Sequence, residues 1–367
     1  MTLHSVPGFA RILATVGAIV IASPLVAQDD LPTANQIFAE VGKIVTVDGV
    51  DEQMMIEIGG IQQWVHVRGR HRGNPVILFL HGGPAFTTSP VSFYFMRDWE
   101  EYFTIVQWDQ RGAGKTYAAN DPAKVRPTMN VRSFVSDAAE LAAYLRDRYD
   151  KRKIILMSHS FGTVVGLKAV LAHPELFHAY VGSGQFIHFG RSEAMGYEAT
   201  LAAARLDENQ EAVDQLVAIA PFPDQDRPER NLENLGTERR WLAHYDGYYW
   251  RKGFGHNAAI ARMSPDYSAD ELKLRDEAMA FSNEAMWHEL GTVDLTGSTK
   301  FDVPVIILQG RHDRGTSSKL VQEWFETIRA PKKQLVWFED SAHMVYEEEP
   351  GKLLISLVNL VRPLAED

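Results

Sequence analysis

The chain has 367 residues, 45% of them hydrophobic and 23% charged, with a formal net charge of −11. That composition suits a globular protein with a sizeable core, as one large domain or one domain carrying an insertion. It has no cysteine, which excludes disulfides, thiol catalysis and thiolate metal sites, and the acidic balance without a long basic run argues against nucleic-acid or anionic-membrane partners.

Residues 1–27 have a charged start, the apolar run Ile12–Val26, and Ala27 before the polar switch Gln28-Asp29-Asp30. This pattern predicts a signal peptide and an exported protein, periplasmic or secreted, with no membrane partner once the leader is removed; an uncleaved N-terminal anchor is the alternative. Removing these residues takes away one Arg and no acid, so the mature charge becomes −12. Gln28 to about Asn35 reads as a polar linker.

Met54–Ile58 and Ile61–Val67 read as two strands joined through Gly59-Gly60, a hairpin signal. Pro75–Leu80 and Phe103–Trp108 are unbroken apolar runs, expected of strands buried on both faces. They lead into "HGGPAF" at 81–86 and "DQRGAGKT" at 109–116. Val131, Phe134, Val135, Ala138, Leu141 and Leu145 share a helical face; Asp137, Glu140, Arg146 and Asp147 are placed away from it. Ile154–Met157 is a third buried strand, Phe161–Ala172 a helix and Ala179–Gly182 a short strand. From about 186 to 299 the strand rhythm gives way to a helical pattern. It resumes with a strand at Val303–Leu308, a helix at Ser317–Ile328, a strand at Gln334–Phe338 and a closing helix at Gly351–Val361. Buried strands alternating with helices predict a mostly parallel α/β sheet flanked by helices. The core is assigned to residues 28–185 and 300–367, with an inserted helical cap at 186–299.

In such sheets chemistry gathers just past the carboxyl ends of the strands. There stand Ser158-His159-Ser160-Phe161-Gly162, then Arg311-His312-Asp313, then Ser341-Ala342-His343. The chain order Ser, Asp, His is that of a hydrolase triad. A serine hydroxyl attacks only when a base takes its proton, and the base needs an acid to fix its tautomer. Ser160 sits at the tip of the strand-to-helix turn, two residues before Gly162, whereas Ser158 is still in the strand. Ser160 is therefore the nucleophile candidate and His343 the base. Asp313 is the first candidate for the acid, with Asp340 as the alternative. His81 and His159 are read as braces of their own turns. The oxyanion would be met by the amide of Phe161, at a helix N-terminus, and by Gly82 or Gly83. No metal-binding motif and no phosphate loop is present, because "GAGKT" lacks the required spacing; no cofactor is expected. Chemistry that runs through an aspartate nucleophile is disfavoured, because the residue at the tip is Ser.

These motifs resemble the proline iminopeptidase (prolyl aminopeptidase) branch of the α/β-hydrolases. The marks are "HGGPA" at 81–85, "WDQRGAGKT" at 108–116, "SHSFG" at 158–162, "GRHD" at 310–313 and "SAH" at 341–343. Ala85 stands where the branch has glycine, as does Ser158. The resemblance implies an α/β-hydrolase fold and a serine exopeptidase that releases N-terminal residues of short peptides through an acyl-enzyme. It also implies a cap carboxylate for the substrate amine. Glu193 and Glu198 are candidates, with a solvated helix face as the plain alternative. Within Trp241–Gly255, Tyr249 is a candidate to line an apolar pocket; the same segment would serve equally as cap core. A carboxylesterase or lactonase acting on another small molecule would use the same triad, and a non-catalytic binder would have no use for it.

Overall fold

In this computed structural model, residues 32–365 are described, except 228 and 254. The leader assigned to residues 1–27 lies outside them. Eight strands form one sheet in the order β1-β2-β4-β3-β5-β6-β7-β8. They are β1 (Val50–Ile58), β2 (Ile61–Gly69), β3 (Val76–Leu80), β4 (Thr104–Asp109), β5 (Ile154–His159), β6 (Phe177–Ser183), β7 (Val305–Gly310) and β8 (Lys333–Phe338). β1 and β2 are an antiparallel hairpin with Ile58 opposite Ile61, and the two-residue turn between them holds Gly59 and Gly60 at φ 57° and 74°. Positive φ at both central residues is what such a turn demands. β2 pairs antiparallel with β4, and every pair from β4 across to β8 is parallel.

The unbroken apolar runs work as two-faced strands. Leu78, Leu156 and Ile307 pack on one side with the helices Val131–Tyr149 and Phe161–Ala172, through residues such as Leu141, Leu145 and Leu167. Their neighbours Phe79, Met157 and Ile306 pack on the other with Trp99, Leu353 and Leu357. The result is helix, sheet, helix, with the strand ends left free to carry loops. Asn130 caps the Val131–Tyr149 helix by accepting from the Ser133 N–H at 2.9 Å.

A helix, Ala34–Val41, follows the stretch read as a linker. One sequence expectation needs correction. Asp137 is buried, not solvent-facing. It accepts from Arg111 Nε and Nη2, both at 2.9 Å, and from Gln63 Nε2 at 2.8 Å. Arg111 also donates to the Gly59 carbonyl and to Thr128, so "DQR" clamps the hairpin to the helix. Asp137→Ala would leave that guanidinium buried without its carboxylate. A loss of about 3–5 kcal/mol is expected in urea unfolding; a loss under ~1 kcal/mol would show that the pair does not hold the hairpin.

Between β6 and β7 lie the cap helices Phe189–Leu206, Gln210–Ala218, Glu229–His244, His256–Ala261 and Ala269–Gly291. The first three share a small core of their own around Tyr197, Leu216, Phe222 and Trp241. Asp109 ties the cap to the sheet: it is fully buried, and accepts from Ser89 Oγ and Lys115 N, both at 2.8 Å, and from the hydroxyls of Thr87 and the cap residue Tyr267.

Candidate active site

β5 is held between β3 and β6 as far as Ser158 and His159, so the chain must turn sharply to enter the next helix. Ser160 makes that turn with φ 52° and ψ −123°, an unusual conformation for a residue with a side chain. Its N–H is fixed to the Ser183 carbonyl at 3.0 Å, and its own carbonyl accepts from Thr163 N at 2.8 Å. A Cβ at Gly162 would collide with the carbonyls of Leu80 and His81, so only glycine lets the helix start this close to β3.

Ser158 is buried, in register with Leu80 and Gly182, and its hydroxyl has no hydrogen-bond partner among the described residues. An unpaired buried hydroxyl costs about 1–3 kcal/mol. Ser158→Ala is therefore expected to raise the thermal midpoint or leave it unchanged, with activity within about twofold of wild type. Loss of activity on this change would move the nucleophile to Ser158.

The loops after β7 and β8 meet. His343 Nδ1 lies 2.9 Å from Asp313 Oδ2, and both residues are buried. Asp313 also accepts from Gln309 Nε2 at 2.8 Å, Thr316 Oγ1 at 2.7 Å and Thr316 N at 3.0 Å. Burial alone would raise the Asp313 carboxyl. The His343 ring and the Thr316 donors outweigh it and hold the carboxyl down at about 2. Asp313 is thus a fixed anion at any working pH. The alternative acid, Asp340, is exposed, and its N–H donates to Glu349.

Ser160 and His343 open onto one cavity of about 110 Å³, together with Gly83, Phe161, Phe186, Phe189, Glu193, Arg239, Tyr248 and Trp287. Of the two candidate glycines, Gly83 lines this cavity. Gly82 backs the serine instead: a Cβ there would stand 2.9 Å from Ser160 Cβ, and its carbonyl accepts from Phe86 N and His81 Nδ1. His81 braces the loop as expected. Its Nε2 accepts from Gln110 N, and burial lowers the ring's pKa to about 4, so it is neutral. His159 packs its ring 4.6 Å from that of His343, and burial, followed by the neighbouring His343, holds it well below the ordinary histidine range.

Of the cap candidates, the structure brings only Glu193 to the cavity. Glu198 lies on the exposed face of the same helix. Tyr249 is buried beside β8's loop, where its hydroxyl donates to Glu347 at 2.8 Å; its neighbour Tyr248 is the one that faces the cavity. Sequence reasoning missed Glu238 and Arg239. Arg239 Nη2 donates to Glu193 Oε1 at 2.6 Å, and its Nη1 pairs with Glu238. Glu193 Oε2 and Glu238 Oε1 are buried with no donor among the described residues. Burial pushes the Glu238 carboxyl up to about 7, with Arg239 pulling it down and Glu193 adding to the rise. Among the described residues no group of acids and histidines is arranged to hold a metal ion, and no helix is long and apolar enough to cross a membrane. A larger groove of about 440 Å³, lined by Phe38, Phe93, Trp99 and Arg68, contains none of the candidate catalytic residues.

The fold is similar to that of a proline iminopeptidase-related protein of Thermus thermophilus (TM-score 0.61, 21% identity, 86% of this chain and 99% of that one). It is equally similar to a proline iminopeptidase of Mycobacterium smegmatis (TM-score 0.61, 15% identity, 86% and 99%). In sequence the chain is 25% identical over 309 residues to a probable aminopeptidase of Bacillus subtilis (strain 168), covering 81% of this chain and 92% of that protein. A proline iminopeptidase of Arabidopsis thaliana is 30% identical over 135 residues, 37% of this chain and 33% of that protein. The profile of the alpha/beta hydrolase family matches residues 77–356. That match runs from β3 through the cap to the last helices, and the chain accordingly belongs to the alpha/beta hydrolase family and is a hydrolase.

Proposed function

We propose that the protein is a serine aminopeptidase of the proline iminopeptidase type, cleaving a small N-terminal residue from a short peptide or amide. Ser160 attacks the carbonyl while His343 takes its proton, and Asp313 holds the imidazole tautomer and stabilises its cation. The amides of Phe161 and Gly83 receive the oxyanion; Phe161 begins a helix, whose N-terminus favours negative charge. His343 then returns its proton to the leaving amine, and water repeats the sequence on the acyl-enzyme.

The observation that carries this reading is the pair Glu193 and Glu238. Each leaves one buried carboxylate oxygen without a donor; Glu193 lines the cavity that also holds Ser160, and Arg239 links Glu193 to Glu238. Arg239 supplies only one positive charge to the two acids, so the group has a formal net charge of −1. A substrate ammonium in the cavity provides the missing donor to Glu193 and the missing charge to the group. The cavity's small volume and its Phe186, Phe189 and Trp287 lining suit one compact residue such as proline. An ester with no amine would leave the Glu193 oxygen unpaired. Proline and alanine naphthylamides assayed beside nitrophenyl esters test the proposal: turnover of the free-amine amides supports it. Good ester turnover with no cleavage of any free-amine substrate would overturn it in favour of an esterase or lactonase.

A further inference from the structure

Three consecutive acids, Glu347-Glu348-Glu349, follow the histidine loop, and a run of this kind ordinarily faces solvent. Here all three turn inward to other elements. Glu347 accepts from Tyr249 and Asn257 of the cap. Glu349 accepts from Ser341 Oγ at 2.7 Å in the histidine loop. Glu348, buried between them, does both: Oε1 accepts from Trp250 N at 2.6 Å, and Oε2 from Ala342 N at 2.9 Å. Lys252 Nζ adds a bond to the Glu348 carbonyl at 3.2 Å.

The segment Gly247–Lys252 thus fastened touches both loops that meet over the cavity. The Tyr248 carbonyl accepts from His343 N at 3.0 Å, and the Gly247 carbonyl from Arg314 N at 3.3 Å. The Trp250 ring stacks on His312, next to Asp313, at 3.5 Å and 4°. Tyr248 itself lines the cavity. One carboxylate therefore joins the cap segment to the residue preceding the base.

We propose that Glu348 is a positioning residue for His343, holding the cap segment Gly247–Lys252 against the histidine loop so that the imidazole stays in register with Ser160 and Asp313. The role rests on the Ser160–His343 assignment above. Two acceptor oxygens on one rigid group fix two amides relative to each other, which a neutral carboxyl or amide with a single carbonyl oxygen does less well.

The device responds to pH. Burial pushes the Glu348 carboxyl up to about 7, against the pull of the Trp250, Ala342 and Met344 amides and of Lys252. The other titratable or charged groups on the elements around it are Tyr248, Tyr249, Arg251 and His256 of the cap, Arg311, His312, Asp313 and Arg314 of the acid loop, Glu339, Asp340 and His343 of the histidine loop, and Tyr346, Glu347, Glu349 and Lys352 beside it in sequence. An upward shift means that the native state binds this proton more tightly than the unfolded chain. Acidification from pH 8 to 6 therefore does not weaken the fold through this group. What the proton removes is one of the two acceptors.

Labelling of the full chain by a fluorophosphonate tests this, because the probe needs Ser160 and His343 but carries no amine. For Glu348→Gln, the labelling rate at pH 8 is expected to fall about tenfold, with a smaller further drop from pH 8 to 6 than wild type shows. An E348Q protein that labels at the wild-type rate with the wild-type pH dependence would overturn the positioning role while leaving the triad standing. No labelling of wild-type Ser160 would instead overturn the triad. Hydrogen exchange on the unmodified protein gives a second reading that does not depend on the variant's folding. Protection of the Trp250 and Ala342 amides, corrected for intrinsic exchange, should decrease from pH 8 to 6 while the thermal midpoint holds. Unchanged protection at both amides would sink the proposal.

Discussion

Ser160→Ala is expected to lower kcat/KM by roughly 10⁴- to 10⁶-fold, because in the proposed mechanism the nucleophile, base and acid act as one unit. The fold should survive the change. The turn at Ser160 is set by its N–H on Ser183, by the Thr163 N–H on its carbonyl and by the room at Gly162, none of which involves the hydroxyl. Circular dichroism and a thermal midpoint within a few degrees of wild type would establish that. A folded Ser160→Ala protein with near-normal turnover would remove this residue from the chemistry. Comparison with Ser158→Ala makes the test specific, since the two hydroxyls are two residues apart and only one opens onto the cavity.

Glu193→Gln should separate substrates by whether they carry an amine. Losing one charge from the Glu193–Arg239–Glu238 group takes its formal charge from −1 to zero. A hydrogen bond to a charged group is worth about 1.5–3 kcal/mol, so kcat/KM for a free-amine amide should fall ~10- to 100-fold. A small neutral ester should be cleaved at nearly the wild-type rate. Equal losses on both substrates would assign Glu193 a structural role instead. The wild-type enzyme offers the same test by pH. Glu238 takes up a proton as pH falls through about 7, which also cancels the group's charge. KM for the ammonium substrate should therefore rise below neutrality, with no matching rise for the ester.

The sheet was legible because its strands are unbroken apolar runs, and a run of that kind has few alternatives. Ser160, Asp313 and His343 followed from asking what stands past each strand end. The structure draws Asp313 and His343 together and opens Ser160 onto the cavity that His343 lines. The errors have one physical origin. Asp137 was placed on the solvent side because a helical wheel records polarity and cannot see Arg111 arriving from a loop after β4. Glu198 and Glu193 look alike in sequence, yet they lie on opposite faces of one helix, and only packing against the Glu229–His244 helix decides which is buried. Glu238 and Arg239 were invisible for the same reason. Tyr248 and Tyr249 differ by one position, and adjacent residues on an irregular segment point in unrelated directions. Glu348 was hidden within an acidic run that ordinarily signals exposure.

The serine at position 158 leaves a mark elsewhere. A Cβ at Gly166, eight residues on along the helix, would collide with the Ser158 hydroxyl and come within 3.1 Å of Ser158 Cβ and of Tyr180. A side chain at 158 is therefore compatible with this helix seat only while 166 has none. The two positions behave as a single site of fixed total volume. Among relatives that carry glycine at the first place of the nucleophile turn, the place equivalent to 166 should be free to take alanine or serine. In those that carry serine, it should remain glycine, and here Gly166→Ala should be tolerated only together with Ser158→Gly.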